Sequence, residues 1–208
     1  NQILNPTSGY SLAVDLEHAS ALTGSDFSYN RAVGEVAAYR SVSQGVVLAG
    51  RLRSGIVSPG QFEKLRSGPS EVPPDLVHPQ KRFYSGGAAS VRGFAESRLG
   101  PQVLTVDVVS LLGAPPGGSA PLCAPAQVTS GACDAGPLEN QTFFSRPTGG
   151  NRLIEANLEL RFPLALDNFQ GALFVDAGEV WGQDVALEPG DIEVTPGLGV
   201  RYFSPIGP

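Results

Sequence analysis

Leu153-Ile154-Glu155-Ala156-Asn157-Leu158-Glu159-Leu160-Arg161-Phe162 carries the sharpest alternation in the chain. Ile154, Ala156, Leu158, Leu160 and Phe162 fall on one side, and Glu155, Asn157, Glu159 and Arg161 on the other. A period of two is that of an extended strand with two unlike faces. A face charged this densely suits a water-filled lumen, with the apolar side turned outward.

The same period recurs on both sides of this segment. In Gly9 to His18, Tyr10, Leu12, Val14 and Leu16 oppose Ser11, Ala13, Asp15 and Glu17. Residues 27–42 form a noisier candidate after the turn-like Thr23-Gly24-Ser25-Asp26. In 46–56, Arg51 and Arg53 alternate with Leu48, Gly50 and Leu52. Downstream, 170–181 is mostly apolar but sets Asp176 on the face of Gln170, Ala172 and Phe174, and 194–203 sets Arg201 opposite Val200 and Tyr202. The expectation is about six strands, 9–18, 27–42, 46–56, 153–162, 170–181 and 194–203. Tyr10, Tyr29, Tyr39, Trp181 and Tyr202 lie near expected strand ends, where aromatic girdles of membrane barrels sit.

Composition agrees with an all-β chain. Of 208 residues, 26 are Gly and 18 Pro, 41% are hydrophobic and only 16% charged, which describes neither a disordered tail nor a helical bundle. A net charge of −6 with 14 scattered Lys and Arg excludes nucleic acid as a partner, since phosphate binding needs a concentrated basic face. No apolar run reaches the ~18 residues of a membrane-spanning helix, so a barrel is the structure with which this chain would cross a membrane. The polar start Asn1-Gln2-Ile3-Leu4-Asn5-Pro6 does not read as a signal peptide, and both ends read as cut from something longer.

Between 57 and 152 lies one long loop, far beyond ordinary connections and therefore expected to carry function. It contains Phe83-Tyr84-Ser85-Gly86-Gly87-Ala88-Ala89-Ser90-Val91-Arg92-Gly93-Phe94, one arginine among glycines and small residues. Gly86, Gly87 and Gly93 permit tight turns, and the planar fork of Arg92 suits carboxylates. From these residues alone the segment is either a loop that carries its charge to an internal anionic partner or a surface turn with a solvated arginine. Further on, Cys123 and Cys133 sit in a Pro/Gly/Ser-rich stretch, and their spacing suits a disulfide closing a small surface loop, worth roughly 3 kcal/mol by loop entropy. Such a bond implies an oxidising compartment. His18 and His78 are isolated and no further cysteine completes a tetrahedral site, so no metal is expected. The sequon at 140–142 reads as chance.

Taken together, Val91-Arg92-Gly93-Phe94, the preceding Phe83-Tyr84-Ser85-Gly86-Gly87, Leu99-Gly100-Pro101, Ala156-Asn157-Leu158-Glu159-Leu160, Phe174-Val175-Asp176-Ala177-Gly178-Glu179-Val180-Trp181 and the segment 199–208 come in the order found in a known family. The chain resembles the barrel of the BamA/TamA-type outer-membrane assembly and translocation superfamily over nearly its whole length. The resemblance implies one domain, 1–208, that is part of a transmembrane antiparallel β-barrel. About six of roughly sixteen strands would be present, near the ninth to fourteenth, without the gate strands or the periplasmic domains. It also implies a loop whose Val91, Arg92, Gly93 and Phe94 turn back into the lumen, with Arg92 meeting Asp176 and Glu159. The cysteine pair resembles one in the same extracellular loop of that family.

The function so implied is assembly: folding and inserting β-barrel proteins into the bacterial outer membrane, with no cofactor and no covalent chemistry. Outer-membrane lipids and unfolded outer-membrane clients are the expected partners, with accessory lipoproteins or an inner-membrane-anchored protein beside them. No G-x-S-x-G, phosphate-binding G-x-x-x-x-G-K or dinucleotide fingerprint occurs, so an enzyme is not expected. The rival readings are a two-partner-secretion or autotransporter-assembly pore, the barrel anchor of a patatin-type phospholipase and, from another class, a soluble β-sandwich binding module with an inert Arg92.

Overall fold

The computed structural model describes residues 5–25, 27–60, 77–114, 117–118, 120–138, 143–166 and 168–203. The sequon at 140–142 and the last five residues of the family-like C-terminal segment lie outside them. Two compact units are present, one formed by Asn1–Pro101 with Gly149–Pro208 and one by Gln102–Thr148.

The first unit is a six-stranded antiparallel sheet. Its strands are β1 (Gly9–Ala19), β2 (Tyr29–Ser43), β3 (Val46–Pro59), β6 (Arg152–Pro163), β7 (Phe169–Trp181) and β8 (Glu193–Tyr202), hydrogen-bonded in that order. Neighbours in sequence are neighbours in the sheet except across 60–151, the long connection from β3 to β6. Short turns join β2 to β3 and β6 to β7, while longer segments join β1 to β2 and β7 to β8. Tight turns on one side and long loops on the other are the habit of outer-membrane barrels. Among the described residues β1 and β8 each pair on one side only, so the sheet is open.

Register carries one parity across all six strands. Leu12 pairs with Val36, Val36 with Leu52, Leu52 with Ala156, Ala156 with Ala177 and Ala177 with Val194, which puts one row of apolar side chains on a single face. That face is bare: Leu12 is 72% exposed and Leu198 79%. The opposite face holds Glu155 and Asp176, each 0% exposed, together with buried Glu159 and Arg161. A soluble sandwich buries its apolar face and wets its polar one. Here the order is reversed, as it is when lipid is the outer solvent.

The aromatic girdle expected from strand ends needs correction. Tyr10, Trp181 and Tyr202 lie on the outward parity, and the Tyr202 ring centroid is 5.1 Å from that of Phe169. Tyr29 and Tyr39 face inward: the Tyr29 hydroxyl donates to Glu17 at 2.6 Å, and the Tyr39 ring lies 5.6 Å from the Arg161 guanidinium carbon. Both sit on the odd parity of β2 with Arg31 and Glu35, and parity outranks nearness to a strand end.

A small core sits at the long-loop end of the inner face, where Ala19, Tyr29, Val57, Val77, Phe83, Leu153 and Val180 cluster. Phe83 is clamped there by paired backbone bonds with Gly150, at 2.8 and 3.0 Å. Burying a ring of this size stabilises by about 2–3 kcal/mol, which fixes the root of the arginine-bearing segment.

The second unit lies within the span expected to be one loop. Its short strands β4 (Gln102–Val106) and β5 (Phe143–Pro147) pair antiparallel, and two one-turn helices, α1 (Val108–Leu112) and α2 (Pro125–Thr129), follow β4. Asp107 caps α1 by accepting from the Val109 amide at 3.1 Å. Cys123 and Cys133 are disulfide-bonded, with Cα atoms 5.7 Å apart. The six long strands otherwise differ from expectation by a few residues at their ends, most at β3, which runs three residues past 56.

Candidate functional site

Residues 83–100 form a closed excursion over the inner face. Its neck is the Ser85 and Leu99 bridge, with the Leu99 amide donating to the Ser85 carbonyl at 3.0 Å, and its tip is closed by the Gly87 amide on the Phe94 carbonyl at 2.9 Å. The Ser90 amide also bonds within the loop, to the Gly87 carbonyl at 3.2 Å, whereas the Arg92 amide and side chain turn to the sheet.

Arg92 lies at that tip. Its Nε donates to Asp176 Oδ2 at 2.6 Å and its Nη2 to Asp176 Oδ1 at 2.8 Å, a two-pronged fork on one carboxylate. The Arg92 amide adds a third bond to Asp176 Oδ2 at 3.0 Å, and Nη1 reaches Glu159 Oε2 at 2.5 Å. The guanidinium carbon stands 3.5 Å from the Phe174 ring centroid, a cation–π contact worth about 1 kcal/mol or more where water is thin. The fork on Asp176 holds the Arg92 pKa above the ordinary arginine range, against the opposing pull of burial.

Each partner is placed by strand parity. Asp176 and Phe174 are alternate residues of β7 and share its inner face; Glu159 is on the inner face of β6, and β6 and β7 pair through Asn157 and Asp176. Glu159 serves more than Arg92: its Oε1 accepts from Arg161 Nε at 2.9 Å and from Arg201 Nη2 of β8 at 2.6 Å. Three guanidiniums thus converge on two carboxylates. Deleting one buried partner of such a network costs about 3–5 kcal/mol in a dry setting and less where the lumen is wet.

Two glycines make the seating possible. A Cβ on Gly178 would lie 2.8 Å from Val91 Cγ2 and 2.9 Å from the Ile154 carbonyl, and Val91 is fully buried above it. A Cβ on Gly197, which pairs with Phe174, would come within 2.3 Å of the Phe174 ring. Of the other expected site residues, Gly93 lies 3.0–3.2 Å, at its would-be Cβ, from Thr195 of β8, and Phe94 contributes its carbonyl to the tip closure. Cys123 and Cys133 belong to the second unit. Among the described residues no group of three or more His, Cys, Asp or Glu side chains is arranged to hold a metal ion.

The sequence model of the Omp85 superfamily domain matches residues 1–208. The chain belongs to the Omp85 superfamily. The fold is shared with a solved structure: the crystal structure of BamA from Haemophilus ducreyi lacking POTRA domains 1–3 is similar at a TM-score of 0.61, with 20% identity, over 97% of this chain and 34% of that one. The chain therefore spans about a third of the length of that protein chain. Its six strands are part of a barrel of the Omp85 kind.

Sequence reasoning passed over Glu155, Ser85, Ser90, Gly178 and Gly197 as site residues of this Omp85 domain. Glu155 was on view as a member of the inner face of β6. The glycines repeat the inner parity of β7 and β8, and a glycine on a charged face marks a place where another segment comes close.

Proposed function

We propose that this chain is the lumen-lining part of an outer-membrane assembly factor that folds and inserts β-barrel proteins into the bacterial outer membrane. The observation that carries the reading is the Arg92 fork on Asp176, backed by Glu159, in an Omp85 domain with polar residues inward and apolar residues outward. A charged loop tip fixed to the inner wall fills and organises the lumen, so that clients are handled at the wall and the rim and not drawn through an open pore. Val91 and Phe94 flank the arginine and Gly93 lets the tip lie against β8. The work is done without covalent chemistry or a cofactor: lipid contacts the outward face, unfolded barrel proteins are the clients, and accessory lipoproteins or an inner-membrane-anchored protein complete the machine. The Cys123–Cys133 disulfide of the second unit is in keeping with the cysteine pair that the resemblance to BamA-type barrels implies, which favours assembly over the export of one dedicated partner.

The test is depletion of the full-length protein in its own cells, followed by quantification of several unrelated outer-membrane barrels and of exported proteins. Assembly predicts a general loss of heat-modifiable barrels. Unchanged barrels with the loss of one exported protein would overturn it in favour of a secretion pore.

A further inference from the structure

Glu155 is a fully buried carboxylate on the inner face of β6, four residues before Glu159, and the Arg92 network does not use it. Its two oxygens face different groups. Oε1 accepts from the Ser85 hydroxyl at 2.7 Å and from the Ser90 hydroxyl, and those hydroxyls are 2.8 Å from each other. Oε2 faces Arg53 Nη1 at 3.4 Å and Arg51 Nη2 at 3.6 Å, both from β3.

We propose that Glu155 is a second anchor for the lumenal loop, one that reads two serine hydroxyls and acts independently of Arg92. The chemistry differs from that of the first anchor. Arg92 brings a cation to wall carboxylates; here the wall supplies the anion and the loop supplies neutral donors. Two hydroxyl protons serve three contacts, so both point at Glu155 or one reaches it through the other, and either arrangement ends on the carboxylate. The Gly86 amide donates to Ser90 Oγ at 3.1 Å, which leaves the Ser90 proton for Glu155. Neighbouring wall groups grip the same limb by its backbone: Arg51 Nη1 donates to the Ala89 carbonyl at 2.7 Å and Asn157 Nδ2 to the Ser90 carbonyl at 2.8 Å.

Lifting the loop would strip Glu155 of both hydroxyls and leave it the two arginines of β3. These charge-assisted hydrogen bonds are then exchanged for water, and that difference favours the seated state from the wall side as well as from the loop side. The limb 85–90 is thus held by β3 and β6, the tip by β6 and β7, and Val91 is pinned between them. The inference rests on this geometry and stands or falls separately from the assembly reading.

The experiment places a thiol reporter, Val91→Cys, in the full-length protein, with the Cys123–Cys133 disulfide left oxidised and silent. The rate of labelling by a charged maleimide measures unseating. Ser85→Ala with Ser90→Ala is expected to raise that rate about tenfold or more, and to raise it again in the Arg92→Ala background, as hydrogen bonds to a second wall carboxylate require. Ser90→Thr, which keeps the hydroxyl, in place of Ser90→Ala is expected to return a large part of the protection. Heat-modifiable mobility reports separately that the barrel is folded, and if the triple variant fails to fold, the factor with Arg92 intact decides. A change below about twofold with Arg92 intact, or an effect that vanishes once Arg92 is removed, overturns the proposal.

Discussion

At the scale of single residues, the fork of Arg92 matters more than its charge. Two parallel bonds to Asp176, a third to Glu159 and a ring face beneath require a planar guanidinium, and a lysine ammonium satisfies one of these at a time. Arg92→Lys is therefore expected to weaken loop seating by about 1–3 kcal/mol although the charge is kept, read as a lower temperature for loss of the folded band on unheated gels. A variant indistinguishable from wild type would mean that the site needs only a positive charge. The parity that sets Glu159 and Asp176 on polar faces is legible in the alternation of their strands. Glu155 is equally visible there, but its role depends on where Ser85 and Ser90 land, and no local pattern records a landing point.

At the scale of elements, β7 is shaped to receive the loop. Its inner row runs Ala172, Phe174, Asp176, Gly178, Val180, so that the ring, the acid and the gap follow one another at two-residue steps. Gly178→Val is expected to push Val91 off the wall and cost about 1–3 kcal/mol, through overpacking against the Val91 side chain and the Ile154 carbonyl. Gly34→Ala on β2, where an added Cβ meets nothing within 4 Å, is the control and is expected to stay close to wild type. Stability of the heat-modifiable form, compared between the two, checks both. The error over Tyr29 and Tyr39 belongs to this scale too: aromatic residues near strand ends imply a girdle only when parity turns them to lipid, and β2 turns these two inward. The hairpin and short helices of the second unit were not legible in the 57–152 loop, because five-residue elements give too few periods to register.

At the scale of the whole molecule, the reversed dressing of the sheet is the strongest statement about its surroundings. Apolar rows are bare and carboxylates are buried, an arrangement that water on the outward face would penalise. Leu52→Arg, on the outward face of β3 between Val36 and Ala156, is expected to cost about 2–4 kcal/mol in the membrane-inserted protein, with heat-modifiable barrel lost or reduced. The same substitution at Ser11, on the lumenal parity of β1, is expected to cost much less. Equal effects at the two positions would contradict the inside-out assignment. The fold class was open to sequence reading for the same reason: alternation with charge on one side survives in the letters, whereas the open edges at β1 and β8 reflect a barrel of which this chain spans a part.

The central claim is that Arg92 and Asp176 hold the loop to the lumen wall and that assembly depends on the pairing. A charge swap in the full-length protein tests it most directly: Arg92→Glu alone, then Arg92→Glu with Asp176→Arg, each scored for outer-membrane barrel assembly in cells depleted of the wild-type protein. The single change is predicted to disable assembly, by setting a third carboxylate against Asp176 and Glu159, and the double change to restore it in part. Normal assembly with the single change would contradict the account, since Arg92 would then be a residue on which neither the loop nor the function depends.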